Sequence, residues 1–205
     1  MTAPVHTPGS FTFEVPDGWL DYDLANQDLS RQQQELRAAA TTPEQREAVD
    51  DAMRQARRLL RAARRQGAAS AAGMIARDDD GGLLMAFVAV FGVTVPDGTP
   101  LSVADIAQQV SRPALADGHG DRTVTSTTLA GIGPVARITG TEIVELTDTT
   151  SVVMVAMHTI VPVPGQPGSY LVVTGMSPNL PLADALYDVF DAITGTLQFA
   201  STTRP

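Results

Sequence analysis

Cysteine is missing from all 205 residues, and so is lysine: the fourteen basic side chains are every one arginine. The first absence excludes a disulfide frame, a thiolate nucleophile, a cysteine zinc site and a lipobox. The second, set beside the alanine content, reads as the codon bias of a GC-rich genome rather than as chemistry. No apolar run approaches the ~18 residues of a membrane-spanning helix. The opening residues, MTAPVHTPGS, have neither the basic start nor the apolar core of a signal peptide. The expectation is a soluble, cytoplasmic protein.

What the sequence does contain is a globular balance, 43% hydrophobic and 18% charged. Its length suits one core. The expected organisation is a flexible tail over 1–9 and a single domain over 10–205 with an insertion at about 25–67. Charge is unevenly spread within it. Residues 31–77 hold ten Arg against five acids, a balance of +5, while the remainder holds four against eighteen, a balance of −14, which together make the net −9.

FTFEV, Phe11–Val15, alternates with period two and runs into the turn Pro16-Asp17-Gly18, so it predicts a strand reaching Trp19. From Ala25 to Gly67 the composition turns to alanine, glutamine and charge, broken only at Thr41-Thr42-Pro43. That pattern predicts a helical hairpin, with Thr42 as cap, Pro43 at the first helical position, Gln45 completing a capping box and Gly67 as the stop. Strands follow at AASAAGMIARD and at LLMAFVAVFGVTV, the second apolar on both faces and so covered from both sides. A short helix is predicted from Leu101, capped by Ser102. DRTVTSTTL, PVARITGTEIVEL, SVVMVAMHTIVPV and YLVVTGMS read as four strands joined by short turns, and PLADALYDVFDAIT as an amphipathic helix with Leu182, Leu186, Val189, Phe190 and Ile193 on one face. Turns this short cannot cross over, so the sheet must be mainly antiparallel. The expected fold is α+β, a three-layer α/β/α sandwich with a sheet of about six or seven strands and an inserted helical hairpin.

Three segments resemble the PsbP-like superfamily, and within it the actinobacterial LpqN-type domains. FTFEVPDGW resembles their opening strand and Pro-x-Gly-Trp turn, GIGPVARITGTEIVEL their glycine turn into a long middle strand, and YLVVTGMSPNLPLADALYDVFDAITGTLQF their closing strand, helix and short strand. The resemblance covers between a third and a half of the chain. It implies an antiparallel sheet between helices and a non-enzymatic role in binding other proteins or assemblies. Two departures stand out, the missing lipobox and the Arg-rich hairpin where the family has a short connection.

The motifs that could carry chemistry are weak. No Gly-x-Ser-x-Gly elbow occurs, and the three histidines lie in the N-terminal segment (His6), a glycine-rich loop (His119) and an apolar strand (His158). His158 reads as a hydrogen-bonded core histidine. Asp78-Asp79-Asp80-Gly81-Gly82 lacks the spaced oxygens of a calcium loop. LAGIGPVA imitates a dinucleotide fingerprint but leads into a strand instead of a helix, so no cofactor is expected. Trp19 reads as a cap on the sheet end.

The arginines remain. RQARRLLRAARRQ carries Arg54, Arg57, Arg58, Arg61, Arg64 and Arg65, six arginines in the twelve positions 54–65. At about 100° per residue all six fall in one arc of roughly 120°, and Val49, Met53, Ala56, Leu59, Leu60 and Ala63 fall opposite. Glu44, Glu47, Asp50 and Asp51 crowd the first half of the helix, which matches its dipole. A pI near 4.6 and the lack of interleaved aromatics weigh against nucleic acid. An alanine-rich apolar face weighs against a membrane surface. From the sequence, therefore, the chain is a non-catalytic protein-binding or adaptor domain whose six arginines dock on an acidic protein surface or on a second copy. The alternative is a small-ligand carrier or hydrolase-type enzyme with a pocket between sheet and hairpin, served by Trp19, His119 or His158. The two differ in one observable: a closed sheet–hairpin interface favours the adaptor, and a deep pocket with perturbed titratable groups favours the alternative.

Overall fold

A computed structural model describes residues 10–25, 28–77, 82–95, 122–147 and 150–200. The expected tail, the helix from Leu101 and the loop bearing His119 lie outside the described residues. The elements, in chain order, are β1 Phe11–Thr12, β2 Leu20–Asp21, α1 Ser30–Ala38, α2 Pro43–Arg65, β3 Ala68–Arg77, β4 Leu83–Thr94, β5 Thr123–Leu129, β6 Gly133–Thr147, β7 Thr150–Pro162, β8 Ser169–Ser177, a single 3-10 turn Leu180–Leu182, α3 Ala183–Gly195 and β9 Gln198–Phe199. Seven strands make one antiparallel sheet in the order β2-β3-β4-β8-β7-β6-β5, and β1 pairs β9 beside it.

The hairpin forms where the cap residues place it. Thr42 Oγ1 accepts from the Gln45 backbone N–H at 3.3 Å, while Gln45 Oε1 accepts from the Thr42 N–H at 3.3 Å, so two otherwise orphaned donors at the start of α2 are satisfied reciprocally. Gly67, with φ of 82°, lets the chain leave the helix and turn straight into β3. The opening strand is shorter than its alternation predicts. Phe13 and Val15 keep their inward facing, but the ladder stops at Thr12, because the Glu14 N–H donates to the Thr196 side chain at 2.8 Å instead of to a neighbouring strand.

The sheet is covered on both faces, as its two-sided apolar strands require. On one face α3 sets Leu186, Phe190 and Ile193 against Val88, Val155, Met157 and Val173, and the same core takes in Trp19. Phe190 lies directly over Gly175, where any Cβ would collide with its ring, so that glycine is a matter of space. On the other face α2 sets Val49, Met53, Ala56 and Leu60 against Ala71, Ile75, Met85 and Phe87. A third cluster, Ala136, Ile138, Ile160, Tyr170 and Val172, continues that face along the sheet. β8 ends at Ser177, but the ladder it makes with β4 is prolonged by a side chain. Asn179 Oδ1 accepts from the Met85 N–H at 2.9 Å and its Nδ2 donates to the Leu83 carbonyl at 2.9 Å. Among the described residues no helix is long and apolar enough to cross a membrane.

A candidate binding cavity beneath the hairpin

The C-terminal end of α2, beyond Leu60, does not close on the sheet. The helix side of the gap is lined by Leu59, Ala62 and Ala63, and the facing sheet positions include Ala89, so short side chains meet across it. A cavity of about 880 Å³ results. Phe87, Phe91, Val172 and Met176 supply its apolar floor, with Arg65 and Gln66 at the helix end. Its volume is in the range of small-molecule sites.

One line of polar groups crosses this floor. Register aligns Ala89, Thr174, His158 and Ile138 in a row across β4, β8, β7 and β6, which places the Thr174 and His158 side chains next to each other. His158 Nδ1 lies 3.0 Å from Thr174 Oγ1, and its Nε2 lies 2.6 Å from Glu142 Oε1. Arg122 donates to that same carboxylate oxygen, and its side chain is only 7% exposed. Burial alone would push the Glu142 carboxyl up, but the hydrogen bond from His158, the charge of that ring and the charge of Arg122 outweigh it and hold the group below the usual carboxylate range. Glu142 is thus an anion held between two nitrogen donors, lining a cavity.

Thr174, His158 and Glu142 stand in the order nucleophile, base and orienting acid. The backbone around them does not serve acyl transfer. Thr174 sits inside β8, paired to Ala89 on one side and to His158 on the other, so its peptide groups belong to the sheet ladders. The helix end bordering the cavity is the C-terminal end of α2, whose partial charge is negative. An oxyanion needs converging donors, and among the described residues the backbone of β8 and the end of α2 do not present them to the cavity.

Of the residues singled out from the sequence, His158 lines the cavity and Trp19 does not, being buried in the core on the opposite face. Glu142, Arg122 and Thr174 were not anticipated. Glu142 and Thr174 did carry a signal, each being a polar residue at an inward parity of an apolar strand; Arg122, just ahead of β5, carried none.

The six arginines separate into groups. Arg57 donates to Gln33 Oε1 of α1 at 2.7 Å, and Arg64 donates to the Ala25 carbonyl at 3.2 Å, so both tie α2 to the segment before it. Arg54 pairs with Asp51, and Arg61 donates to the Arg57 carbonyl of its own helix at 3.1 Å. Asp50 turns away from Arg54 to bind Arg37 and Gln33 of α1, whose hydrogen bonds lower its pKa. Arg58, Arg61 and Arg65 make no ion pair with a described residue.

No family model matches the sequence, and no curated protein matches it. Among the solved structures to which the chain is similar are two of known source. One is LpqN of Mycobacterium tuberculosis, involved in cell envelope biogenesis, at 12% identity over 96% of this chain and 88% of that one, with a TM-score of 0.49. The other is the cyanobacterial PsbP of Synechocystis, at 8% identity over 98% of each chain, with a TM-score of 0.38. At such identities the likeness does not extend to which residues act.

Proposed function

We propose that the chain is a non-catalytic binding domain whose site is the cavity between the hairpin and the sheet. One observation carries this reading: a cavity of about 880 Å³, mostly apolar in its lining, has a line of converging polar groups, Thr174, His158, Glu142 and Arg122, across its floor. An apolar wall with a few placed polar groups is the usual make-up of a small-molecule site. The test uses a neutral fluorescent probe, N-phenylnaphthylamine, and the substitution Ala89→Trp, which fills the gap facing Ala62 and Ala63. Wild type is expected to bind the probe saturably and the variant to bind at least about tenfold more weakly, the loss of a buried aromatic contact being worth over a kcal/mol. Equal binding by both forms would remove the cavity as the site.

A second reading keeps the arginine face as a docking surface for an acidic protein or a second copy. It is supported by the three arginines, Arg58, Arg61 and Arg65, that have no carboxylate partner among the described residues, in a chain of net charge −9. The two readings share Arg65, which borders the cavity, and are separated by mutating Arg58 and Arg61 on one side of α2 or Ala89 beneath the other.

A further inference from the structure

We propose that the cavity binds an apolar molecule bearing one carboxylate, and that His158 takes up a proton as the ligand binds, so that the Thr174 hydroxyl, which until then donates to His158 and offers the cavity only lone pairs, donates to the ligand instead. This rests on the cavity being the binding site. His158 is held at both ring nitrogens, by Thr174 Oγ1 at 3.0 Å and by Glu142 Oε1 at 2.6 Å. A carboxylate anion only accepts hydrogen bonds, so Nε2 carries a hydrogen whenever Glu142 is ionised. The hydrogen bond from His158 Nε2 and the Arg122 guanidinium, both present when the ring is neutral, favour that ionised form.

The protonation state of Nδ1 then decides what the cavity meets. With neutral His158, Nδ1 has a lone pair and Thr174 donates its only hydrogen to it, so the hydroxyl presents acceptor lone pairs to the cavity. With a proton on Nδ1, that nitrogen donates to Thr174 Oγ1 and the hydroxyl hydrogen is released to point into the cavity. The charge changes with it. Glu142 balances Arg122 while His158 is neutral; once the ring is protonated, Arg122 and His158 stand against a single carboxylate and the cluster carries one uncompensated positive charge.

An incoming carboxylate supplies both the acceptor and the charge that the protonated cluster lacks, and by linkage it raises proton affinity as much as the proton raises its own affinity. The other charged features of the lining are Arg65, offset in part by the negative C-terminal end of α2, and Glu145 on β6, which is exposed. Phe87, Ala89 and Phe91 of β4, Val172 and Met176 of β8, and Ala71 of β3 add no charge, and they give the apolar part of the ligand its floor.

The experiment is calorimetric titration of the whole chain with dansyl-labelled undecanoate and with its methyl ester, in two buffers of different ionisation heat near about pH 7, where histidine side chains change charge. Wild type is expected to take up protons on binding the carboxylate but not the ester. His158→Gln keeps a side chain able to bond both neighbours and is expected to bind with no proton uptake. Thr174→Val, which preserves shape and removes the hydroxyl, is expected to weaken the carboxylate and leave the ester unchanged. Binding that Ala89→Trp blocks but that proceeds without proton uptake, or with uptake retained in His158→Gln, overturns this inference alone. Failure of either probe to bind, or binding that Ala89→Trp leaves intact, overturns the cavity reading and this inference with it.

Discussion

Glu142 is the residue on which the cavity floor depends. It holds a guanidinium that is 7% exposed and a ring that is 12% exposed, and it is the only carboxylate either of them meets among the described residues. Removing it leaves Arg122 buried without a counter-charge, a far costlier state than never having had the pair. Glu142→Ala is therefore expected to lower stability by about 3 kcal/mol, read from the urea midpoint at neutral pH. The same pair sets an acid dependence. The folded pKa of Glu142 is lowered, so its contribution is complete above the ordinary carboxylate range and is lost as pH falls through the folded value. Wild type is expected to lose more stability than Glu142→Gln across that fall, and parallel losses would show that the carboxylate is not what holds the floor. At this scale the sequence was only half legible. His158 stood out as a lone histidine in an apolar strand, but its partners come from two other strands, and the register of β6 on β7 and β7 on β8 that brings them together is not written in any one of them.

Among the elements, α2 was the most legible and the opening strand the least. The period of Val49, Met53, Ala56 and Leu60 states which side of α2 is buried, and Thr42, Gln45 and Gly67 state where it starts and stops; all of these are local signals, and the structure follows them. FTFEV alternates like a strand but pairs over two residues only, because pairing depends on a partner that the alternation does not name. The wheel also left something out. It placed six arginines on one arc, while α1 lies along one side of that arc and engages Arg57 through Gln33. What remains for a partner is Arg58, Arg61 and Arg65, with Arg54 beside them. Changing Arg54, Arg58, Arg61 and Arg65 together to alanine is expected to leave thermal stability within about 0.5 kcal/mol of wild type, since exposed ion pairs contribute little. On the docking reading the same variant loses, at low salt, proteins that wild type recovers from a native lysate and releases at high salt. Recovery of the same proteins by both forms would leave the arginines as a solvated helix face.

For the whole molecule, the missing residue types have a consequence that a typical protein would hide. With no lysine and no cysteine, and with arginine charged throughout, the side chains that titrate between about pH 9 and about pH 12 are the tyrosines. There are three. Tyr22 follows β2 and is buried on the hairpin face, its ring 6.3 Å from that of Phe87, against Gly73, where even a Cβ would crowd it. Burial pushes its hydroxyl up to about 12, the side chain of Gln32 pulling slightly the other way. Tyr187, half-buried on α3 with its hydroxyl donating to the Gly140 carbonyl at 3.1 Å, is raised too, chiefly by burial. A raised pKa means that the folded state resists losing the proton. The stabilising contribution of Tyr22 is thus fully present below its ordinary value near 10 and disappears as pH rises from there to about 12. At about 1.4 kcal/mol per unit, the complete loss from this one residue is expected to be about 3 kcal/mol, reached once pH exceeds the folded value. Tyrosinate absorbance followed alongside urea unfolding at each pH separates the contributors, because Tyr22→Phe keeps the ring against Phe87 and removes the ionisation. The variant is expected to show a markedly flatter alkaline limb than wild type. An unchanged limb would mean that the hairpin opens and exposes Tyr22 before the rest of the chain unfolds, and that the roof of the cavity is a separately unfolding unit.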